Sequence, residues 1–425
     1  MKRKIAGLMI ILLVFSLFGC SKKEESTALP GQDKPPVSEQ PTLEAVDLTA
    51  ALTAQAVEGK EIDAAFLAGQ MGFSLKLLQQ VAAEKGAEDL LLSPLSVVLA
   101  LAMTANGANG ATAEEMLAVL GGYTEEELNG YLYQWLQNLP SSERAKFSVA
   151  NSIWYRDGFT VKGDFLQQTL NYYGADFYQA PFDDTTVADI NRWVGEETDG
   201  MIPKLLEQIN AETMVYLINA LAFDAQWADI YYDHMIREAS FHAADGTEQT
   251  AQMMYSQETT YLEHGNAVGF MKYYAGAYSF AALMPQEGES LAEFLEGLTA
   301  ESLSACFENG TYCTVNAGLP QFTNDFDLSL NEVLKAMGMP TAFGNADFGR
   351  MSNAGLAISE VLHKTYIEVN EIGTRAAAVT SVAMDESAAV MPDEVRDVIL
   401  DRPFVYFILD ARTNLPIFIG TVASV

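Results

Sequence analysis

The segment that most constrains this chain lies near its C-terminus. Residues 371–395 read EIGTRAAAVTSVAMDESAAVMPDEV, between a strand pattern at 364–370 and an apolar run that begins at Phe404. Small residues dominate and no core-forming cluster is present, although a connection this long inside a compact domain is uncommon and usually functional. Its first half is not composed like a loop. Thr374, Ala376, Ala378, Thr380, Val382 and Met384 are all small or apolar, whereas the interleaved Arg375, Ala377, Val379, Ser381, Ala383 and Asp385 contain both charges. Period-two alternation with one bare face is the pattern of a strand with one side buried. It breaks at Glu386, which would put a carboxylate on that face. Three readings remain open on this pattern alone: a strand in the resting fold, a segment able to become a strand, or an ordinary flexible loop.

The rest of the chain supplies a large core. Its 425 residues have room for one large domain or two modest ones. From about Val46 onward helical and strand patterns follow one another with no repeat and no second linker, so a single domain over 47–425 is expected. Ser93 followed by Pro94 is a helix start, an N-cap side chain with proline at the first helical position. The apolar run 95–103 follows, and Gly107 ends it. Thr112 with Glu115, and Thr124 with Glu127, have capping-box spacing, and Pro140 stops the second of these helices. Residues 214–223 are nearly continuously apolar, as in a central strand covered on both faces, and 278–284 reads alike. The runs 404–409 and 417–422, joined by a turn at Thr413 and Asn414, predict a buried hairpin. Helices first and mostly strands afterwards indicate an α+β domain with large mixed sheets.

The N-terminus carries an export pattern. Lys2, Arg3 and Lys4 precede an apolar run over 5–18 that is too short to span a bilayer comfortably. It ends in Leu17, Phe18, Gly19 and Cys20, which resembles a bacterial lipobox. Residues 1–20 are therefore expected to be a lipoprotein signal peptide, with Cys20 lipidated as the mature N-terminus; a plain secretory signal is the alternative. Two or more acyl chains anchor a protein stably where one is marginal. Residues 21–46, rich in Lys, Glu, Ser, Pro and Gln, predict a flexible tether. An extracellular, surface-anchored protein follows. Only Cys306 and Cys313 remain in the mature domain, too few for a disulfide framework or a cysteine-based zinc site. Export permits a bond between them, and two free buried thiols are the other reading.

Charge and motifs exclude other classes. Against 24 basic residues stand 57 acidic ones, a net charge of −33, which repels nucleic acid and anionic headgroups. There is no GxSxG elbow, no Walker loop, no GxGxxG and no HExxH, and the chain has only four histidines. An enzyme is not expected, and nothing calls for a cofactor or metal.

The run Glu371, Ile372, Gly373, Thr374, Arg375, Ala376, Ala377, Ala378 resembles the proximal hinge of inhibitory serpins, and Asp401, Arg402, Pro403, Phe404 resembles the strand that follows their reactive loop. Asn151 to Trp154, Tyr172 to Ala175, Ile190 to Val194, Thr198 to Ile202, Asn219 to Leu221, and Trp227 are similar to serpin segments in serpin order. The resemblance covers roughly 48–425. It implies three β-sheets, about nine helices and an exposed reactive-centre loop. It also implies suicide inhibition: a serine protease cleaves the loop, is acylated through its own serine, and is distorted when the cleaved loop inserts as a new strand in the main sheet. The resting fold is then a kinetic trap whose stored strain is released by insertion.

The alternating set suits insertion. Burial of Val382 and Met384 contributes roughly 1.5–3 kcal/mol each, and each new ladder hydrogen bond roughly 0.5–1.5 kcal/mol. Against this stands an ordering cost of roughly 1–2 kcal/mol per residue, so strain relief elsewhere must help. Gly373 is expected to supply backbone freedom where the loop bends into the sheet. By resemblance, Ser93, Ser96, Asn219 and His363 match the shutter, where the central strands part, and Trp227 with Glu371 matches the breach, where insertion begins.

With Glu371 counted as the first residue, the seventeenth is Ser387, which puts the reactive bond between Ser387 and Ala388, with Met384 and Val390 as rival positions. No Lys or Arg lies in 376–395, so a trypsin-like pocket finds nothing to pair with. Small or medium apolar residues there suit elastase-like or subtilisin-like serine proteases; a cysteine protease stays open. The acidic turn after Thr124 argues against a heparin site, and a monomer is expected. The alternative is a non-inhibitory serpin acting as a binding or structural module.

Overall fold

A computed structural model describes residues 43–86, 88–210, 212–374 and 394–425, without the side chains of Ser148, Val149, Asn219, Ala220 and Ala222. In chain order the strands are β1 (Val46–Asp47), β2 (Leu91–Leu92), β3 (Ala145–Arg156), β4 (Asp176–Ala180), β5 (Val215–Gln226), β6 (Ile236–His242), β7 (Glu248–His264) and β8 (Ala267–Tyr273), then β9 (Tyr278–Met284), β10 (Thr311–Pro320), β11 (Phe322–Ser329), β12 (Glu360–Val369), β13 (Gly373–Thr374), β14 (Val395–Ile399), β15 (Phe404–Asp410) and β16 (Leu415–Val422). The helices are α1 (Ala64–Lys85), α2 (Pro94–Ala105), α3 (Gly110–Val119), α4 (Glu125–Asn138), α5 (Gly163–Tyr173), α6 (Asp184–Glu197), α7 (Leu291–Gly297), α8 (Ala300–Glu308) and α9 (Asn331–Met337).

Local chemistry explains most boundaries. The Ser93 hydroxyl accepts the Ser96 N–H at the start of α2, Pro94 fills the first helical position, and every residue of the helix is buried. A helix apolar all round belongs inside a protein, and α2 is its spine. At α4 the capping box forms as expected, with Thr124 and Glu127 each satisfying the other's backbone. Thr112 and Glu115 do not form one. α3 begins at Gly110 behind Asn109, the Thr112 hydroxyl accepts the Asp347 N–H at 2.9 Å, and the Glu115 carboxylate accepts both the N–H and the hydroxyl of Thr341. Tertiary partners from 341–347 took side chains whose spacing alone suggested a cap.

The first sheet has seven strands in the order β1-β4-β3-β5-β13-β12-β11. β3 and β5 pair antiparallel from Ala145 with Ala225 to Tyr155 with Val215. Alternate residues of β5 belong to different apolar clusters: Leu217 to the main core with α2, Tyr216 and Ile218 to a smaller one with Ile190 and Trp193 of α6. β5 is thus covered on both faces, which is why it reads as nearly continuous apolar sequence. The second assembly runs β14-β10-β7-β8-β9-β15-β16-β2, with β6 also on β7. β7 is 17 residues long; its first part pairs with β6 and its last with β8, while β10 lies along its other edge. Where three β-sheets were expected, the described strands form two hydrogen-bonded assemblies, the second branched at β7, whose 17 residues serve both β6 and β8. Nine α-helices surround them among the described residues.

Both strands of the β15–β16 hairpin are buried along their length, its turn is exposed at Ala411 and Arg412, and Asn414 takes the left-handed conformation there. Cys306 on α8 and Cys313 on β10 are free, buried thiols. At the other end of the chain, the Asp189 carboxylate on α6 accepts the N–H groups of Glu44 and Ala45 at 2.8 Å, and β1 pairs with β4.

Candidate functional site

The seven-stranded sheet is incompletely closed. β5 and β12 are parallel neighbours, yet among the described residues their register pairs are only Tyr216 with Glu360 and Leu217 with Val361. Beyond these the two strands part. At the far end β13 sits between them, Gly373 and Thr374 pairing with Gln226 and Ala225 of β5 and Thr374 with Val369 of β12. At that end the two strands are held a strand apart by Gly373 and Thr374, two residues of the segment singled out above.

Thr374 is fully buried, and its hydroxyl lies 2.6 Å from that of Tyr274. Gly373 does not adopt a positive φ, so conformational freedom is not what the position demands. A Cβ there would lie 2.1 Å from the Ala225 carbonyl oxygen and 2.8 Å from the Gln226 Cα. Glycine is required because two backbones approach closely, which corrects the expectation of a flexible hinge.

The turn into β13 is held from several sides. The Asn370 side-chain oxygen accepts the N–H groups of Ile372 and Gly373, an Asx-type turn. Trp227, fully buried and stacked on Tyr274 at 4.3 Å, donates its backbone N–H to Ile372 and its indole N–H to Asn370, both at 2.9 Å. The Tyr231 N–H donates to the Glu371 carbonyl, and the Gln321 amide donates to the Glu371 carboxylate at 2.8 Å. Arg144 donates to the Gln226 side chain and the Trp227 carbonyl. Of these, Trp227, Glu371, Gly373 and Thr374 had been singled out from sequence. Asn370 was legible from its turn chemistry, an Asn three residues before a Gly; Arg144, Tyr231, Tyr274 and Gln321 gave no local signal.

Where β5 and β12 separate, Ser93, Ser96 and His363 come together. His363 is buried, and its Nε2 accepts the Ser93 N–H at 3.1 Å, while the Ser93 hydroxyl accepts the Ser96 N–H at 3.3 Å. Burial pushes the imidazole pKa down to about 4, so the ring is neutral near pH 7 and suited to accept. Asn219 is two residues beyond the Leu217–Val361 pair on β5, as His363 is on β12, and its backbone pairs with Asn151. Its side chain lies outside the described residues, as do Cys20, Arg375, Ala376, Ala377, Ala378 and the Ser387–Ala388 bond.

The chain as a whole has known counterparts. The serpin family model, described as serine protease inhibitor, matches residues 68–425. The chain belongs to the serpin family. An uncharacterized serpin-like protein of Thermococcus kodakarensis is 31% identical over 362 residues, 83% of this serpin and 84% of that protein. Human Serpin B9 is 29% identical, covering 83% and 97%. Among solved structures, the thermophilic serpin tengpin in its native state superposes with a TM-score of 0.85 at 43% identity, covering 90% of this serpin and 100% of tengpin, whereas its latent state gives 0.76. Thyroxine-binding globulin, at 22% identity and a TM-score of 0.75, shares the fold.

Proposed function

We propose that this serpin is a single-use inhibitor of serine proteases, acting by cleavage of the 371–395 loop and insertion of its first half between β5 and β12. The observation that carries the reading is the burial of Thr374 in β13, inside the gap. Thr374 is the first member of the alternating small and apolar set. Continued in the same phase, Ala376, Ala378, Thr380, Val382 and Met384 follow it onto the same face, and Arg375 and Asp385 fall on the other. The burial of Thr374 against the Tyr274 hydroxyl supports that phase at its first residue.

Ser387–Ala388 is the proposed reactive bond, where the protease serine displaces the Ala388 amine and is left esterified to Ser387. The absence of basic residues over 376–395 favours elastase-like and subtilisin-like targets. We further propose that residues 1–20 are removed as a signal peptide, that Cys20 carries the lipid, and that residues 21–42 tether a monomeric domain outside the cell; the expected bound of 46 is shortened because Glu44 and Ala45 bond to Asp189 and Val46 pairs in β1. Family membership alone does not make an inhibitor, so the test is covalent. The domain lacking residues 1–45 is incubated with a neutrophil-type elastase, a subtilisin and trypsin. A denaturation-resistant adduct with either of the first two, plus a released peptide starting at Ala388, is the expected result. Clean loop cleavage without adduct for every protease would leave the non-inhibitory alternative.

A further inference from the structure

A buried ion pair lies behind the two aromatic residues that hold the turn into β13. Lys272 of β8 is 2% exposed, and its ammonium pairs with the Glu258 carboxylate of β7 at 2.9 Å. The same carboxylate oxygen accepts the Ser256 hydroxyl at 2.6 Å. The ammonium lies 4.3 Å from the Tyr231 ring centroid and 5.5 Å from that of Trp227, both buried. These are the residues whose backbone N–H groups carry the carbonyls of Glu371 and Ile372. A buried ion pair is weak evidence of stabilisation, because an apolar pair of similar volume commonly does as well or better. What a cation between two ring faces does supply is orientation, since it is attracted to both π-systems at once.

We propose that Lys272, held by Glu258, is a positioning residue for loop insertion: it fixes Trp227 and Tyr231 so that the turn 370–372 is preset and Thr374 stays as the first rung of the inserting strand. The inference rests on the insertion reading above. A strand that zips into a gap pays most for its first rung, where ordering entropy is spent before the ladder returns anything. Here that rung exists before cleavage, and the ammonium is the charge seated against the ring faces of the residues that hold it, while Arg144 meets Trp227 at its backbone carbonyl. Loss of Lys272 slows insertion while leaving cleavage of the loop, remote from this pair in sequence, unchanged.

The test separates insertion from inhibition. The loop is cut with a protease in excess, and the rate at which the cleaved chain becomes heat-resistant is followed for the wild-type protein, Lys272→Met and the double variant Lys272→Met/Glu258→Met. Both variants are expected to be cut at the wild-type rate and to gain heat resistance about tenfold more slowly. The double variant leaves no orphaned carboxylate and recovers the melting temperature of the intact protein, but not the insertion rate. Recovery of both together would make the pair merely structural and overturn the proposal, as would wild-type insertion rates in Lys272→Met. If that single variant fails to fold, the double variant alone decides. A wild-type chain that gains no heat resistance on cleavage overturns insertion and this proposal together. A wild-type chain that inserts yet never traps a protease overturns inhibition only.

Discussion

The hydroxyls of Thr374 and Tyr274 meet at 2.6 Å in the interior, one from the first residues of the long loop and the other just past the end of β8. This contact fixes which face of the loop segment looks inward. A hypothetical Thr374→Arg puts a guanidinium in that buried site, against the Tyr274 hydroxyl, a neutral group, at a cost of several kcal/mol. The expected outcome is a chain cut by protease at an undiminished rate that forms no stable adduct. Denaturing gels of Thr374→Arg beside wild type check this, and an adduct at wild-type yield would mean that the face is misassigned.

Gly373→Ala is expected to displace β13 and not to stiffen it. The new methyl would lie 2.1 Å from the Ala225 carbonyl oxygen, far inside van der Waals contact, and backbone cannot swing aside as a side chain can. Overpacking of this kind costs roughly 1–3 kcal/mol. Thermal unfolding should show a lower midpoint, and amide exchange should speed up at Thr374 and Ala225 before it does in the β3–β5 ladder.

Acid should weaken the region where the strands part. His363 has its folded pKa lowered to about 4 by burial, against an ordinary value of 6.5. A depressed histidine keeps its neutral form in the fold, so its contribution is complete above about pH 6.5 and is lost as pH falls toward 4. The loss is on the order of 3 kcal/mol by linkage. Protonation also removes the acceptor for the Ser93 N–H. Denaturant unfolding between pH 7 and 4 should show this loss, and His363→Gln, which keeps an acceptor without the titration, should flatten that part of the profile.

The proposed bond can be moved to a new specificity. Ser387→Arg introduces a basic residue where 376–395 has none. Trypsin should then form the stable adduct and release a peptide starting at Ala388. Release of a peptide starting elsewhere would relocate the reactive bond.

Much of this protein is written in short-range pattern. The caps at Ser93 and Thr124, the two-sided burial of β5, the β15–β16 hairpin and the period-two stripe from Thr374 to Met384 follow from neighbours within a few residues. Each depends on dihedral preference, local hydrogen bonding or the period of an element, and sequence alone determines those. The spacing of Thr112 and Glu115 is the counterexample, because Asp347 and Thr341 compete for the same side chains. Only the tertiary structure decided that β5 and β12 stay apart, that Gly373 stands for closeness and not flexibility, and that Lys272 meets Glu258 beneath Trp227 and Tyr231. Those facts depend on where remote strands stack, and the free energy that sets their spacing is shared by the whole core and encoded in no single stretch of it.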